Sequence, residues 1–335
     1  MTTYKEIFGK YVKNYSSDPS SDIEGQIWYN STSGTFKSQV SIGGAWSSGG
    51  NLPTAKGGIA NAGTQTAALA FAGGPAPAGG SVTTDEYDGS AWAAGGNMAT
   101  GRADLGACGT QTAGLGYGGY SLPVGAPSLI LTEEYNGTSW SPGGSLGTGR
   151  NLIGSAGIQT AGLAIGGFAG PGPVPLRVSV LTEEYDGSSW AAGGNLGTGR
   201  YAAGGAGTQT SALGFGGYVG TFGGGAPSNT TVEYDGSTWT SGGNMNTTTS
   251  RRGGAGTQTA AIAMGGNPAT TATEFYDGTS WTNSPSSMAT ARFGFIGCGT
   301  QTAALAAGGN TATASTAATE EFSDPTLAVQ TITTS

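Results

Sequence analysis

The stretch MATGRADLGACGTQTAGLGYGGYSLPVGAPSLILTEEYNGTSWS, Met98 to Ser141, decides the fold. It divides into four short runs. Ala103 to Cys108 and Thr112 to Tyr117 are built of small residues, Leu129 to Tyr135 is β-branched and aromatic, and Ser139 to Ser141 surrounds Trp140. The breaks fall at Gly109-Thr110-Gln111, at the loop opened by Gly118 and at Asn136-Gly137, which are turn chemistry. Four such strands in a unit of about 50 residues make one propeller blade.

The unit recurs. A Gly-x-Gln-Thr signature begins at Gly63, Gly109, Gly157, Gly207, Gly256 and Gly299. Each copy follows a tryptophan (Trp46, Trp92, Trp140, Trp190, Trp239, Trp281) and precedes a Gly pair. Spacing from Trp to signature to Gly pair holds to within one residue. Length varies mainly in the loops that follow, Pro75 to Ser81, Tyr120 to Ser128, Phe168 to Val178 and Tyr218 to Asn229. A constant frame carrying one variable loop per unit puts binding on the loop-bearing face. One unit cannot bury both of its faces, so neighbours supply each other's core and the Trp residues read as structural.

The order apolar-Gly-Gly, variable loop, Glu-Tyr-Asp-Gly, Trp, then Met/Leu-x-Thr-x-Arg resembles the kelch repeat. It is carried by Glu86-Tyr87-Asp88-Gly89, Glu134-Tyr135-Asn136-Gly137, Glu184-Tyr185-Asp186-Gly187 and Glu233-Tyr234-Asp235-Gly236, with Phe275-Tyr276-Asp277-Gly278 as a variant. The expected fold is all-β, a six-bladed kelch-like β-propeller over residues 41–325, followed by a tail or closing strand, 326–335. The last unit has its third strand at Thr319 to Phe322 but no Trp after it. The segment Ser41 to Ser47 is therefore expected to complete that blade, with Leu327 to Thr334 as the alternative.

Composition narrows function. The chain has 66 Gly among 335 residues, 10 % charged residues and a net charge of −8, a balance that argues against nucleic acid, whose phosphates are bound by clustered Lys and Arg. No run of 18 apolar residues exists and the N-terminus lacks the apolar core of a secretory signal, so no membrane insertion and no classical export are expected. Histidine is absent, which removes the commonest general base and transition-metal ligand. The adjacent acids Asp85-Glu86, Glu133-Glu134, Glu183-Glu184 and Glu320-Glu321 point to opposite faces of their strands and recur, unlike a glycosidase pair. No enzyme activity, cofactor or metal is expected. Cys108 and Cys298 occupy the same repeat position and read as small core residues.

Seven residues before each signature stand Lys56, Arg102, Arg150, Arg200, Thr249 and Arg292, with Arg251 two residues beyond Thr249 on the same side of a strand. Lys56, Arg102, Arg150, Arg200, Arg251 and Arg292 are the candidate ligand-binding set, a ring of cations at one mouth of the channel suited to an anionic glycan. The competing reading is inter-blade pairing with Glu86, Glu134, Glu184, Glu233 and Glu321.

Residues 1–40 lie outside the repeat. Tyr4, Ile7, Phe8, Tyr11, Val12 and Tyr15 form one apolar stripe at helical spacing, so a docking helix ending near Pro19 is expected, then a hairpin over Gln26 to Lys37. Ser17-Asp18-Pro19 followed by Gly25-Gln26-Ile27-Trp28-Tyr29-Asn30-Ser31-Thr32-Ser33-Gly34-Thr35-Phe36-Lys37 resembles the N-terminal part of virion and tail-fibre proteins from tailed phages of marine bacteria. That resemblance implies a virion protein assembled in the host cytoplasm. Its N-terminus would dock to other tail subunits and its propeller would be displayed for recognition of a host surface glycan or protein. The alternative is a cytoplasmic kelch-type adaptor for protein interaction.

Overall fold

A computed structural model describes residues 12–19, 26–40, 44–74, 80–121, 127–169, 178–220, 225–324 and 328–332. The chain forms two compact units, Trp46–Phe322 and a smaller one made of Met1–Ala45 with Ser323–Ser335.

The larger unit contains six four-stranded sheets. Their innermost strands are Ala60–Gly63, Gly106–Gly109, Gly154–Ile158, Gly204–Thr208, Gly253–Thr257 and Ile296–Gly299, which number blades 1 to 6. Blade 2 runs outward through Gly114–Tyr117, Thr132–Tyr135 and Trp140–Gly143, every pairing antiparallel. Each innermost strand touches the one before and the one after, and blade 6 touches blade 1, so the circle is closed. In blade 6 the outermost strand is Ala45–Ser48, beside Thr319–Ser323. The end of the chain does not fill that place: Ala328–Thr331 pairs instead with Thr35–Val40.

Small residues are required at the axis. A Cβ on Gly205 would sit 2.2 Å from the carbonyl oxygen of Ser155 in the neighbouring blade. Between blades lie six apolar clusters, each drawing on two consecutive blades, such as Leu69 and Phe71 with Met98, Leu105 and Tyr135. Three polar contacts accompany them. The signature glutamine is a fork: Gln111 Nε2 donates to the Ala68 and Tyr87 carbonyls of the preceding blade, and Gln65, Gln159, Gln209, Gln258 and Gln301 do the same. Each repeat tryptophan donates its indole N–H to a threonine one blade back, as Trp140 does to Thr84 Oγ1 at 2.9 Å and Trp92 to Thr319 Oγ1 at 3.0 Å. Each tyrosine of the acidic turn donates to the glutamate of the preceding blade, Tyr135 to Glu86 at 2.5 Å and Tyr87 to Glu321 at 2.5 Å. Room for that hydroxyl comes from the Gly pair after the tryptophan, since a Cβ on Gly95 would lie 2.8 Å from Tyr135 Oη.

One interface departs. Between blades 5 and 6 the glutamate is Phe275, the tyrosine is Phe322 and the Gly pair is Ser284-Pro285. The two rings meet at 5.4 Å between centroids, so an apolar contact replaces a hydrogen bond.

The smaller unit is a four-stranded sheet in the order Lys13–Tyr15, Ile27–Asn30, Thr35–Val40, Ala328–Thr331, the first pair parallel and the others antiparallel. Asp18 organises it by accepting from Trp28 Nε1 (3.1 Å), Asn30 Nδ2 (2.6 Å) and Lys37 Nζ (2.9 Å). The Lys37 ammonium and the Asn30 amide hold this carboxyl below the usual range. The expected docking helix is corrected here: Lys13–Tyr15 is a strand, so helical spacing at Val12 and Tyr15 did not produce a helix. Tyr4, Ile7, Phe8 and Tyr11 lie outside the described residues.

Two outcomes are expected. Phe322→Tyr alone adds a hydroxyl with no acceptor and no room, lowering the free energy of unfolding in urea by about 1–3 kcal/mol. The triple variant with Phe275→Glu and Ser284→Gly recovers most of that loss. Burial, then the neighbouring glutamates, pushes Tyr87, Tyr185, Tyr234 and Tyr276 up to about 12. Raised phenol values mean that the fold binds these protons more tightly than the unfolded chain does. Their contribution is whole below pH 10 and is lost between about pH 10 and 12. Alkaline titration followed by tyrosinate absorbance and circular dichroism should show them ionising together with unfolding.

Candidate functional site

The loop-bearing face is set by topology. Each second strand ends beside the beginning of its innermost strand, as in the pairing of Tyr117 with Gly106, so the variable loops leave from that end of the blade. The Gly-x-Gln-Thr hairpins lie at the other end.

Five of the six candidate cations are not displayed there. Arg102, 0 % exposed, bonds Glu133 at 2.9 Å and the carbonyls of Gly118 and Leu131. Arg150 meets Glu183 at 2.6 Å, Lys56 meets Asp85 at 2.5 Å, and Arg292 meets Glu320. Arg200 is equally buried but has no carboxylate, its guanidinium reaching Thr230 and the Gly216 carbonyl. The reading of Lys56, Arg102, Arg150, Arg200 and Arg292 as an exposed ring is thereby corrected. The competing partners are corrected as well: each acid is the first of its pair rather than the second, because the second binds the tyrosine of the next blade. Each cation also spans two blades. The Arg102 main chain bonds Gly73 and Ser81 of blade 1 while its side chain bonds blade 2. Lys56 repeats the pattern across the closure, its carbonyl accepting from Gly309 of blade 6 and its ammonium reaching Asp85 of blade 1.

In blade 5 this inward role belongs to Arg252, paired with Glu274 at 2.7 Å, and not to Arg251. The reason is backbone. Arg251 has φ +53°, which ends the strand alternation that placed it on the side of Thr249. Gly58, Asp104, Leu152, Ala202 and Gly294 occupy the same position in the other blades, all at positive φ. Each donates its N–H to the carbonyl of the one before: Asp104 to Gly58, Leu152 to Asp104, Ala202 to Leu152, Arg251 to Ala202, Gly294 to Arg251 and Gly58 to Gly294, over 2.7–3.0 Å. Six peptide groups thus form a closed hydrogen-bonded circle around the axis. Beneath it lies a central cavity of about 210 Å³ lined mostly by Gly and Ala, with Asn61, Ser155, both cysteines, Arg252 and larger apolar side chains such as Leu105 and Phe295.

Over this circle the sixfold pattern ends. Asp104 of blade 2 and Arg251 of blade 5, on opposite sides of the axis, pair at 3.4 Å, with a quarter of the Arg251 side chain exposed. Tyr201 and Tyr218 stack at 5.0 Å, and Phe168 lies 6.0 Å from Tyr201. Tyr120 belongs to the same mouth: burial and then the Asp104 carboxylate raise its phenol, while Arg251 lowers it. Asn267 Nδ2 donates to Tyr218 Oη at 3.3 Å. The mouth therefore offers the half-buried rings of Tyr120, Phe168 and Tyr218 beside the buried Tyr201, with one acid, one base and an amide, suited to holding a polar ligand with apolar faces. Sequence reasoning found Arg251 but missed Asp104, Tyr120, Tyr201 and Tyr218. The available signal was the residue directly after each Gly pair, aromatic in three blades at Tyr120, Phe168 and Tyr218 and Pro or Asn in the others, beside the unlike residues that stand at the Asp104 and Arg251 position.

Cys108 and Cys298 are buried free thiols whose burial pushes them up to about 12, far from the thiolate that reactivity needs.

No family model matches the chain. No curated protein matches it in sequence. Among solved structures the chain is similar to that of YjhT, with a TM-score of 0.66 and 12 % identity over 85 % of this chain and all of that one. At that identity the likeness shows the fold, a kelch-like β-propeller, and nothing about activity.

The ion pairs generate one expected outcome. Glu133→Leu leaves the Arg102 cation buried without its partner and lowers stability by about 3–5 kcal/mol, whereas Arg102→Met with Glu133→Leu recovers most of it. Urea denaturation of the two single variants and the double closes the cycle.

Proposed function

We propose that this chain is a structural protein of a phage virion, a tail or tail-fibre component, whose residues 1–40 dock to other tail subunits and whose propeller is displayed for host-surface recognition. The observation that carries the reading is a contrast. The polar groups that recur in nearly every blade are spent in holding the blades together, while groups that only some blades carry, the rings Tyr120, Phe168 and Tyr218 after the Gly pair of three blades, with Tyr201, Asp104 and Arg251, gather at the mouth on the variable-loop face. A constant scaffold with one individual face is what a recognition module needs.

The N-terminal unit supports the location. Asp18, Trp28, Asn30 and Lys37, which carry the resemblance to virion proteins, are the residues joined by the Asp18 hydrogen bonds. The stretch thus owes its spacing to a small sheet that stands as its own unit.

Mass spectrometry of purified particles should detect this chain at stoichiometric abundance, and purified protein should compete with particles for adsorption to host cells. A Tyr120→Ala/Tyr218→Ala variant of unchanged melting temperature should compete at least tenfold less well, since hot-spot aromatics typically contribute 2 kcal/mol or more. Absence of the chain from particles defeats the location. Undiminished competition by the variant defeats the assignment to the mouth.

A further inference from the structure

Blade 4 lacks one carboxylate that every other blade has, and the space has not closed. At the position held by Asp85, Glu133, Glu183, Glu274 and Glu320, blade 4 carries Val232. In four of those blades the carboxylate receives main-chain N–H groups as well as its cation. Glu133 accepts from Ala99 N at 2.7 Å, Glu183 from Gly147 N at 2.7 Å, Glu274 from Asn246 N and Thr247 N at 2.7 and 3.2 Å, and Glu320 from Ala289 N and Thr290 N at 2.5 and 3.1 Å. The corresponding donors of blade 4 are Gly197 N and Thr198 N, which have no acceptor among the described residues.

The cation is retained. Arg200 is 3 % exposed, its Nη2 has only Thr230 Oγ1 at 3.2 Å, and its Nη1 bonds are long, at 3.2 and 3.4 Å. Burial without a compensating carboxylate lowers it to about 10, still a cation at neutral pH. In front of it opens a cavity of about 280 Å³ lined by Leu196, Gly197, Thr198, Arg200, Thr230 and Val232. The glycines confirm the vacancy by comparison. A Cβ on Gly147 would be 3.2 Å from Glu183 Oε2, whereas one on Gly197 would meet nothing within 4 Å.

We infer that this cavity is a binding site for a small-molecule carboxylate, which takes the place of the missing side chain between the Arg200 guanidinium and the Gly197 and Thr198 amides. The other blades serve as five internal examples of the group that belongs there. A buried guanidinium with free N–H groups favours a planar two-oxygen anion in bidentate contact. The space exceeds one carboxylate several times over, given a share of about 30 Å³ per water molecule, so the ligand can extend outward past Thr198. The site is independent of the mouth and of any role in a virion.

The test uses the full-length protein with sodium acetate as probe and sodium chloride at equal ionic strength as control. Amide resonances of Gly197 and Thr198 should shift saturably with acetate, with a Kd on the order of 1 mM as suits so small a ligand. Val232→Glu should abolish the response and place those two resonances near their acetate-saturated positions, because its own carboxylate fills the site. The same variant should unfold at a higher temperature than the parent in chloride, and lose the acetate-dependent rise that the parent shows. Shifts no larger than those with chloride, or equal shifts in Val232→Glu, overturn the site.

Discussion

The structure depends on contact between blades. A single four-stranded sheet of Gly, Ala and a few large side chains leaves both faces bare, and only a neighbour on each side hides them. Apolar burial provides most of the attraction but little direction. Direction comes from the glutamine fork, the indole-to-threonine bond and the tyrosine-to-glutamate bond, each linking one blade to the blade before it. The buried cation adds a fourth link, main chain on one blade and charged head on the next. A blade slipped by one residue would lose all of them together, so the repeated polar residues fix the register of the circle.

The frame was legible because its signals are local and repeated. Trp, Gly-x-Gln-Thr and the acidic turn recur at constant spacing, and the missing last tryptophan pointed to the N-terminal strand that completes blade 6. The failures share a cause, which is local geometry that a periodicity argument does not contain. Strand alternation assigned Arg251 to the inward ring, but a positive φ at that residue shifts the parity and gives the role to Arg252. The choice of acid within each pair followed from which neighbour lies on which side, a tertiary fact. Helical spacing ran through Val12 and Tyr15, yet Lys13–Tyr15 found hydrogen bonds beside Ile27–Asn30, and pairing overrode the pattern.

Departures from the repeat fall into two kinds. At blades 5 and 6 three changes compensate one another, and Phe275 against Phe322 restores a filled interface without its polar bond. At Val232 the neighbours have not adjusted: cation, amides and space all remain. Asp104 and Arg251 are a third instance, two singular residues brought face to face across the axis by an arrangement whose other members are Gly, Leu and Ala. In a repeat protein the uncompensated exceptions are where chemistry is to be sought.

The shared blade carries a consequence for synthesis. Ala45–Ser48 is translated about 270 residues ahead of its partner Thr319–Ser323. At ordinary elongation rates the early strand waits on the order of tens of seconds with its hydrogen-bonding edge exposed. Until then five blades can stack, but the sixth has no outer wall. Closure therefore acts as a completeness check, since a nascent chain terminated early keeps an open edge that proteases and chaperones recognise.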